Sequence, residues 1–300
     1  MRMDLKISAT AHSLNYLPEY YANHTGGFAR RDLTVAACAR DPWTGVLDDL
    51  ADSTADVALG GLWVPAMYSG VARDLVAVGQ LNGRFPMVVL TREPVADFEW
   101  AWLKGKTVLV PGAGGTAPYE FSAGLMREAG VDPAETRFVR DLSGDMLTEL
   151  FEAGLGDAFV VDLLSATRLG SRGVAHLSCG LADVGGPMPN SVYYVRRDRL
   201  AELHEQLVAL LAGVSEAMTA LNAGADATAV LAAEWPDADA DVLTAATAEL
   251  VANGTWSGVR IDPNACDRWT AMLHARGLTA APVAYGDIVD TAAVDAMEGA

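Results

Sequence analysis

Four short segments of this 300-residue chain gather side chains that could bind a ligand or move a proton. In Thr10-Ala-His12-Ser13-Leu-Asn15-Tyr16 an imidazole stands beside a hydroxyl and an amide. His12 could act as a general base or donate a hydrogen bond to an anion; the other reading is a hinge or surface histidine bonded locally. In Arg40-Asp41-Pro42-Trp43 the Asp41 carboxylate could abstract a proton or hold an ammonium group, or it could make an Asp-Pro turn or cap the helix that follows. Gly60-Gly61-Leu62-Trp63 ends an apolar run on two glycines and an indole. Pro111-Gly112-Ala113-Gly114-Gly115-Thr116 is a glycine loop opening a helix, with Gly114, Gly115 and Thr116 as ligand-binding candidates, where N–H groups of the Gly112 to Thr116 loop and of the helix beginning near Ala117 would face an anion. No lysine follows those glycines, so the loop is not a nucleotide site. The bland reading is an ordinary strand-to-helix turn.

Other side chains stand near these segments. Trp43, Trp63 and Tyr119 would supply flat walls for a substrate, or they fill the core. Asp162 follows an apolar strand, where it would meet a cationic or hydroxylated group or cap a helix. Arg84 could pair with an anion through two N–H groups, and Asn190 adds a further amide to the ligand-binding set. His24, His176, His204 and His274 have no partner at a telling spacing and carry no assigned chemistry. Asp237, Asp239 and Asp241 lack the glycine and terminal glutamate of a calcium loop. Cys38, Cys179 and Cys266 are odd in number and far apart, so neither a disulfide framework nor a metal site is expected, and no cofactor is implied.

The elements that must hold these residues alternate. Strands are expected at Leu5 to Ala9, Leu33 to Cys38, Asp56 to Gly61, Leu75 to Gly79, Met87 to Thr91, Lys106 to Val110, Phe138 to Arg140 and Asp157 to Val161. Helices are expected near Pro18 to His24, Val46 to Leu50, Val64 to Ser69, Ala117 to Gly130 and Gly144 to Ala153, and the chain reads as helical from Arg199 onward. Strand, loop and helix in that rhythm mean an α/β fold whose sheets are covered on both faces, with ligands outside the carboxyl ends of the strands. All four chemistry-bearing segments follow strands.

Composition narrows the partners. Hydrophobic residues make up 51% and charged residues 20% of the chain, and 21 Lys and Arg against 39 Asp and Glu leave a formal net charge of −18. A scattered basic complement argues against nucleic acid and against an anionic membrane surface. No secretory signal or membrane span is read in the sequence, which points to a cytoplasmic location.

The order of LKISATAHSLNYLPEYYANHTGGFARRDLTV, DVALGGLWVPAMYSG, LKGKTVLVPGAGGTAPYEFSAGLMREAGVDP and LFEAGLGDAFVVDLLSA resembles the sulfonate-binding and thiamine-pyrimidine-synthase group of type II periplasmic-binding-protein folds. Gly27, Phe28 and Leu33 match one segment of that pattern and Leu103 to Thr116 another. Trp256, Asp262-Pro263, Trp269, Gly277-Leu278 and Asp287 to Asp290 fit its tail. The resemblance implies two α/β lobes with an interlobe ligand cleft, the first at residues 1–87 plus 192–300 and the second at 88–191, closing on a small anion such as a sulfonate, sulfate ester, phosphate or carboxylate. A partner protein or homodimer is left open.

Departures from the group matter as well. The thiamine-pyrimidine synthases hold pyridoxal phosphate on a lysine and carry a cysteine-rich cluster, but no lysine lies between Trp63 and Arg73 and there is no such cluster. Desulfinases of this architecture use a cysteine in the first loop, where this chain has His12. Two functions therefore follow. One is a cytoplasmic, cofactor-independent lyase or cyclase of the natural-product kind, with His12 and Asp41 handling protons during elimination, decarboxylation or ring closure. The alternative is the substrate-binding protein of a transporter for sulfonate, nitrate, taurine or a related anion.

Overall fold

The computed structural model describes residues 2–112 and 115–299. In chain order the regular elements begin with β1 (Met3–Ala9), α1 (Leu17–His24), β2 (Leu33–Ala39), α2 (Gly45–Ala51), β3 (Val57–Gly61), α3 (Trp63–Tyr68) and β4 (Leu75–Gln80). There follow β5 (Met87–Thr91), β6 (Thr107–Leu109), α4 (Ala117–Glu128), β7 (Arg137–Val139), α5 (Gly144–Glu152), β8 (Ala158–Asp162), α6 (Leu163–Ser171), β9 (His176–Gly180) and α7 (Leu181–Gly185). The chain ends with β10 (Ser191–Arg196), α8 (Leu200–Asn222), α9 (Thr228–Glu234), α10 (Ala240–Ala252), α11 (Pro263–Ala275), α12 (Tyr285–Ile288) and α13 (Ala292–Glu298).

The chain divides into two compact units. Residues 1–84, 187–237 and 254–300 form the first, and residues 85–186 and 238–253 the second. The first is built on a five-stranded sheet in the order β2-β1-β3-β10-β4, in which β1 runs parallel to β2 and β3, and β10 runs antiparallel to β3 and β4. The second repeats that plan with β7-β6-β8-β5-β9, where β6 is parallel to β7 and β8 and β5 is antiparallel to β8 and β9. Each sheet thus has one reversed strand in its fourth place.

Local sequence explains the elements. Leu5, Ile7 and Ala9 of β1 are buried while Asp4 and Lys6 are exposed, the period-two pattern of a strand with one dry face. All six residues of β4 are buried, as a strand inside a covered sheet requires. Leu203, Leu207, Leu210, Val214, Ala217, Met218 and Leu221 run down one side of α8, which packs on α1 and α13. Side-chain oxygens of Ser143, Asp162, Asp239 and Asp262 cap α5, α6, α10 and α11. Residues 238–253, placed by the sequence reading with the first unit, group with the second because α10, whose Leu243, Ala246 and Leu250 are buried, packs on α6. Among the described residues no helix is long and apolar enough to cross a membrane.

Candidate functional site

In the first unit the carboxyl ends of β1, β2, β3 and β4 and the start of the reversed β10 share one edge. Six of the residues singled out in the sequence, His12, Ser13, Asn15, Trp43, Trp63 and Asn190, lie on segments that leave or reach this edge. Trp63 packs edge-to-face on Trp43, ring centroids 4.9 Å apart, so the two indoles form one wall. Trp63 is 8% exposed, and its indole lies over Gly61 so closely that a Cβ there would sit 2.2 Å from Nε1. That glycine lets the ring fold back onto the strand end.

Beside the indoles is a layer of hydroxyls and amides. The Tyr16 hydroxyl lies 3.4 Å from Thr10 Oγ1 and 3.5 Å from Ser191 Oγ. The Asn190 amide donates to Ser191 Oγ at 3.3 Å, and its backbone carbonyl accepts from Leu62 N at 3.1 Å. The Asn15 carbonyl accepts from Trp256 Nε1 at 2.9 Å and from the Asn82 amide at 3.0 Å. These bonds fix the loops after β1 and β3 to the start of β10.

His12 has a different surrounding from the one its sequence neighbours suggested. Its Nε2 lies 3.0 Å from Glu234 Oε2, and His24 Nε2 lies 2.7 Å from Glu234 Oε1. The Tyr20 and Trp235 rings flank His12 at 5.2 and 4.7 Å. Burial raises the Glu234 carboxyl, but the two imidazole hydrogen bonds outweigh it and hold the group below the usual carboxylate range. One turn away, Glu19 is 2% exposed and accepts from the Tyr193 hydroxyl at 2.8 Å. Burial pushes its carboxyl up to about 7 despite that bond. The partner of His24 lies 210 positions away, beyond any spacing rule that sequence offers. The described residues hold no group of three His, Cys, Asp or Glu side chains fit for a metal ion, and the two imidazoles and one carboxylate serve as a hydrogen-bonded tie.

The other two singled-out residues of this unit, Asp41 and Arg84, also lie on segments after strand ends, those of β2 and β4. Asp41 is exposed in the bend before α2, and Thr44 rather than Asp41 occupies the N-cap of that helix. Arg84 pairs through its backbone with Pro187, and its side chain lies against Gly254.

In the second unit the carboxyl ends of β6, β7 and β8 carry the other candidates. Gly114 lies outside the described residues. Gly115 has φ of +125°, a conformation that a side chain strains, and its N–H donates to the Gly112 carbonyl at 3.0 Å. Gly112 N donates to Leu142 O at 3.1 Å, and a Cβ on Gly112 would fall 2.7 Å from Asp141 N. This close approach joins the glycine loop to the loop after β7. Thr116 is the N-cap of α4, with no capping bond from its side chain, and Tyr119 stands in the first turn. Asp162 caps α6, its Oδ1 accepting from Ser165 N at 2.9 Å.

The residue that sequence reasoning missed here is Arg140. Its guanidinium sits over the Tyr119 ring at 4.3 Å, and Phe138 closes on the same ring at 5.0 Å. Asp141 lies 3.7 Å from Arg140 Nε, and the arginine side chain is 45% exposed. The signal lies in its position: Arg140 directly follows the short strand β7, at the same kind of strand end as the other candidate loops.

The family model described as NMT1/THI5 like matches residues 13–227. The chain belongs to the NMT1/THI5-like family. One curated relative, a putative binding protein YtlA of Bacillus subtilis, is 23% identical over 248 residues, covering 80% of this chain and 73% of its own. Among solved structures, the alkanesulfonate-binding protein SsuA from Xanthomonas axonopodis bound to MOPS superposes with a TM-score of 0.74 at 17% identity, covering 96% of this chain and 98% of the other. The nitrate-binding protein NrtA from Synechocystis gives 0.77 at 13% identity, covering 99% and 89%. These likenesses establish for this NMT1/THI5-like chain the type II periplasmic-binding-protein fold that the sequence resemblance implied.

Proposed function

We propose that this NMT1/THI5-like protein captures a small anion, and that the glycine loop at the start of α4 receives the charged group together with Arg140. The observation that carries this reading is the Arg140 guanidinium, seated on Tyr119 beside the first turn of α4. A guanidinium with a half-exposed face and the positive end of the α4 dipole both favour a sulfonate, nitrate or carboxylate, although the Gly115 N–H is already given to the Gly112 carbonyl. The sulfonate and nitrate named for the two structural relatives support the same class. The alternative put forward from the sequence, a substrate-binding protein, is therefore preferred over the lyase.

Calorimetric titration with MOPS, taurine and nitrate tests it. At least one should bind, and Arg140→Ala should weaken that ligand by about tenfold or more, the value of a charge-assisted hydrogen bond. Absence of binding by all three, or unchanged affinity in Arg140→Ala, overturns the reading.

A second reading, catalysis on such an anion, is favoured by one observation: Glu234 engages a ring nitrogen of His12, the arrangement that orients an imidazole for proton transfer. Release of sulfite from a bound sulfonate, or of sulfate from a bound sulfate ester, would reveal it. His12→Ala should then lower turnover by ~10²-fold. If the bound anion is recovered unchanged from the native protein, the chain binds without reacting.

A further inference from the structure

The first unit contains a cavity that belongs to none of the segments above. It lies at the opposite edge of the sheet, where β4 begins and the reversed β10 ends, and its volume is about 570 Å³. Small-molecule sites commonly span roughly 300–1,000 Å³. Leu50 and Ala51 at the end of α2, with Leu75 at the start of β4, give it an apolar wall. Arg73, Asp74, Arg196 and Asp198 provide the charged lining.

One ion pair closes within that lining, and its other two charges are engaged differently. Arg196 is closed on Asp198 through two bonds, Nε to Oδ1 at 3.0 Å and Nη2 to Oδ2 at 2.5 Å. Arg73 gives one N–H to the Leu47 carbonyl, and its nearest carboxylate, Asp48, stands at 4.0 Å. A guanidinium has five N–H donors, so most of Arg73's remain for a ligand. Asp74 accepts from Arg197 Nε at 2.8 Å on Oδ1 and is 71% exposed, leaving Oδ2 as an acceptor. The same cavity thus offers a cation with spare donors, an anion with a spare oxygen, and an apolar wall.

We infer that this cavity binds a zwitterionic α-amino acid with a large apolar side chain. The α-carboxylate pairs with Arg73, the α-ammonium with Asp74, and the side chain lies on Leu50, Ala51 and Leu75. A zwitterion meets both charges at once, whereas a simple carboxylate or a simple amine meets only one of them. This site stands apart from the anion reading, since it uses no residue of the carboxyl edges.

L-Phenylalanine, 3-phenylpropionate and phenethylamine share one apolar body and differ only in charge, so titrating the full-length protein with each by calorimetry tests the inference. Phenylalanine should bind one to one, with either single-charge analogue about tenfold weaker or worse. Arg73→Met should weaken phenylalanine by a similar factor, and Ala51→Trp, a change at an exposed position, should fill the cavity and abolish binding with the circular dichroism spectrum unchanged. Arg140→Ala should bind phenylalanine as the native protein does. No binding of phenylalanine at millimolar concentration, equal binding of the three compounds, or full binding by Ala51→Trp overturns the inference. Loss of phenylalanine binding in Arg140→Ala would assign it to the other unit and overturn it equally.

Discussion

Glu19 is a carboxyl that the fold buries at a cost. It is buried with one hydrogen bond, from the Tyr193 hydroxyl, and the negative Glu234 carboxylate adds to the burial that raises its own carboxyl to about 7. The folded protein therefore keeps the Glu19 proton over a pH range in which the unfolded chain has already lost it. Unfolding releases that proton, so stability falls as pH rises from the ordinary carboxylate range toward 7, and the full cost stands above about 7. Glu19→Gln keeps an acceptor for Tyr193 and carries no charge. It should be more stable than the native protein by ~1–3 kcal/mol at pH 8 and nearly equal to it at pH 4, as read by urea unfolding at the two values. A native protein more stable than Glu19→Gln at pH 8 would mean that the carboxylate is held charged by contacts worth more than its burial costs.

At the scale of elements, Asp162 and the tie around Glu234 show how much of the molecule the sequence exposes. A carboxylate after an apolar strand reads as a ligand partner or a helix cap, and its bond to Ser165 N makes it the cap of α6. Asp162→Ala should cost about 1 kcal/mol of stability, with anion affinity unchanged if capping is its whole role; calorimetry and thermal unfolding together check both halves. Strands with alternating or wholly apolar runs and helices with caps were legible, Met87–Thr91 to the residue. The strand β10 was not, although Val192, Tyr193, Tyr194 and Val195 form a buried run, because it enters its sheet from 130 positions away and in the reversed sense. The strand-end loops named the neighbourhood of the candidate residues because chain direction alone fixes that edge. Pairings across it were hidden: Glu234 joins His12 and His24 only after α9 packs on α1, and Arg140 gains its meaning only from the Tyr119 ring.

For the whole molecule the balance of 21 basic and 39 acidic side chains remains the dominant long-range fact. A net charge of −18 repels any small anion during approach, whereas in the proposed site the glycine loop and Arg140 would attract it over a few ångströms. The two ranges respond differently to salt. The Debye length falls from ~30 Å at 0.01 M to ~8 Å at 0.15 M, which screens the distant surface charge while contact-range hydrogen bonds are little affected. Association of a sulfonate, followed by tryptophan fluorescence in stopped flow, should therefore accelerate across that range. Competition by the added chloride could only slow it, so an increase has one source. Arg140→Ala should retain the acceleration, because the general repulsion is untouched, yet dissociate faster, because the local attraction is gone. A rate that falls with added salt in the native protein would instead require a basic surface that steers the anion inward, and would place the controlling charge outside the Arg140 loop.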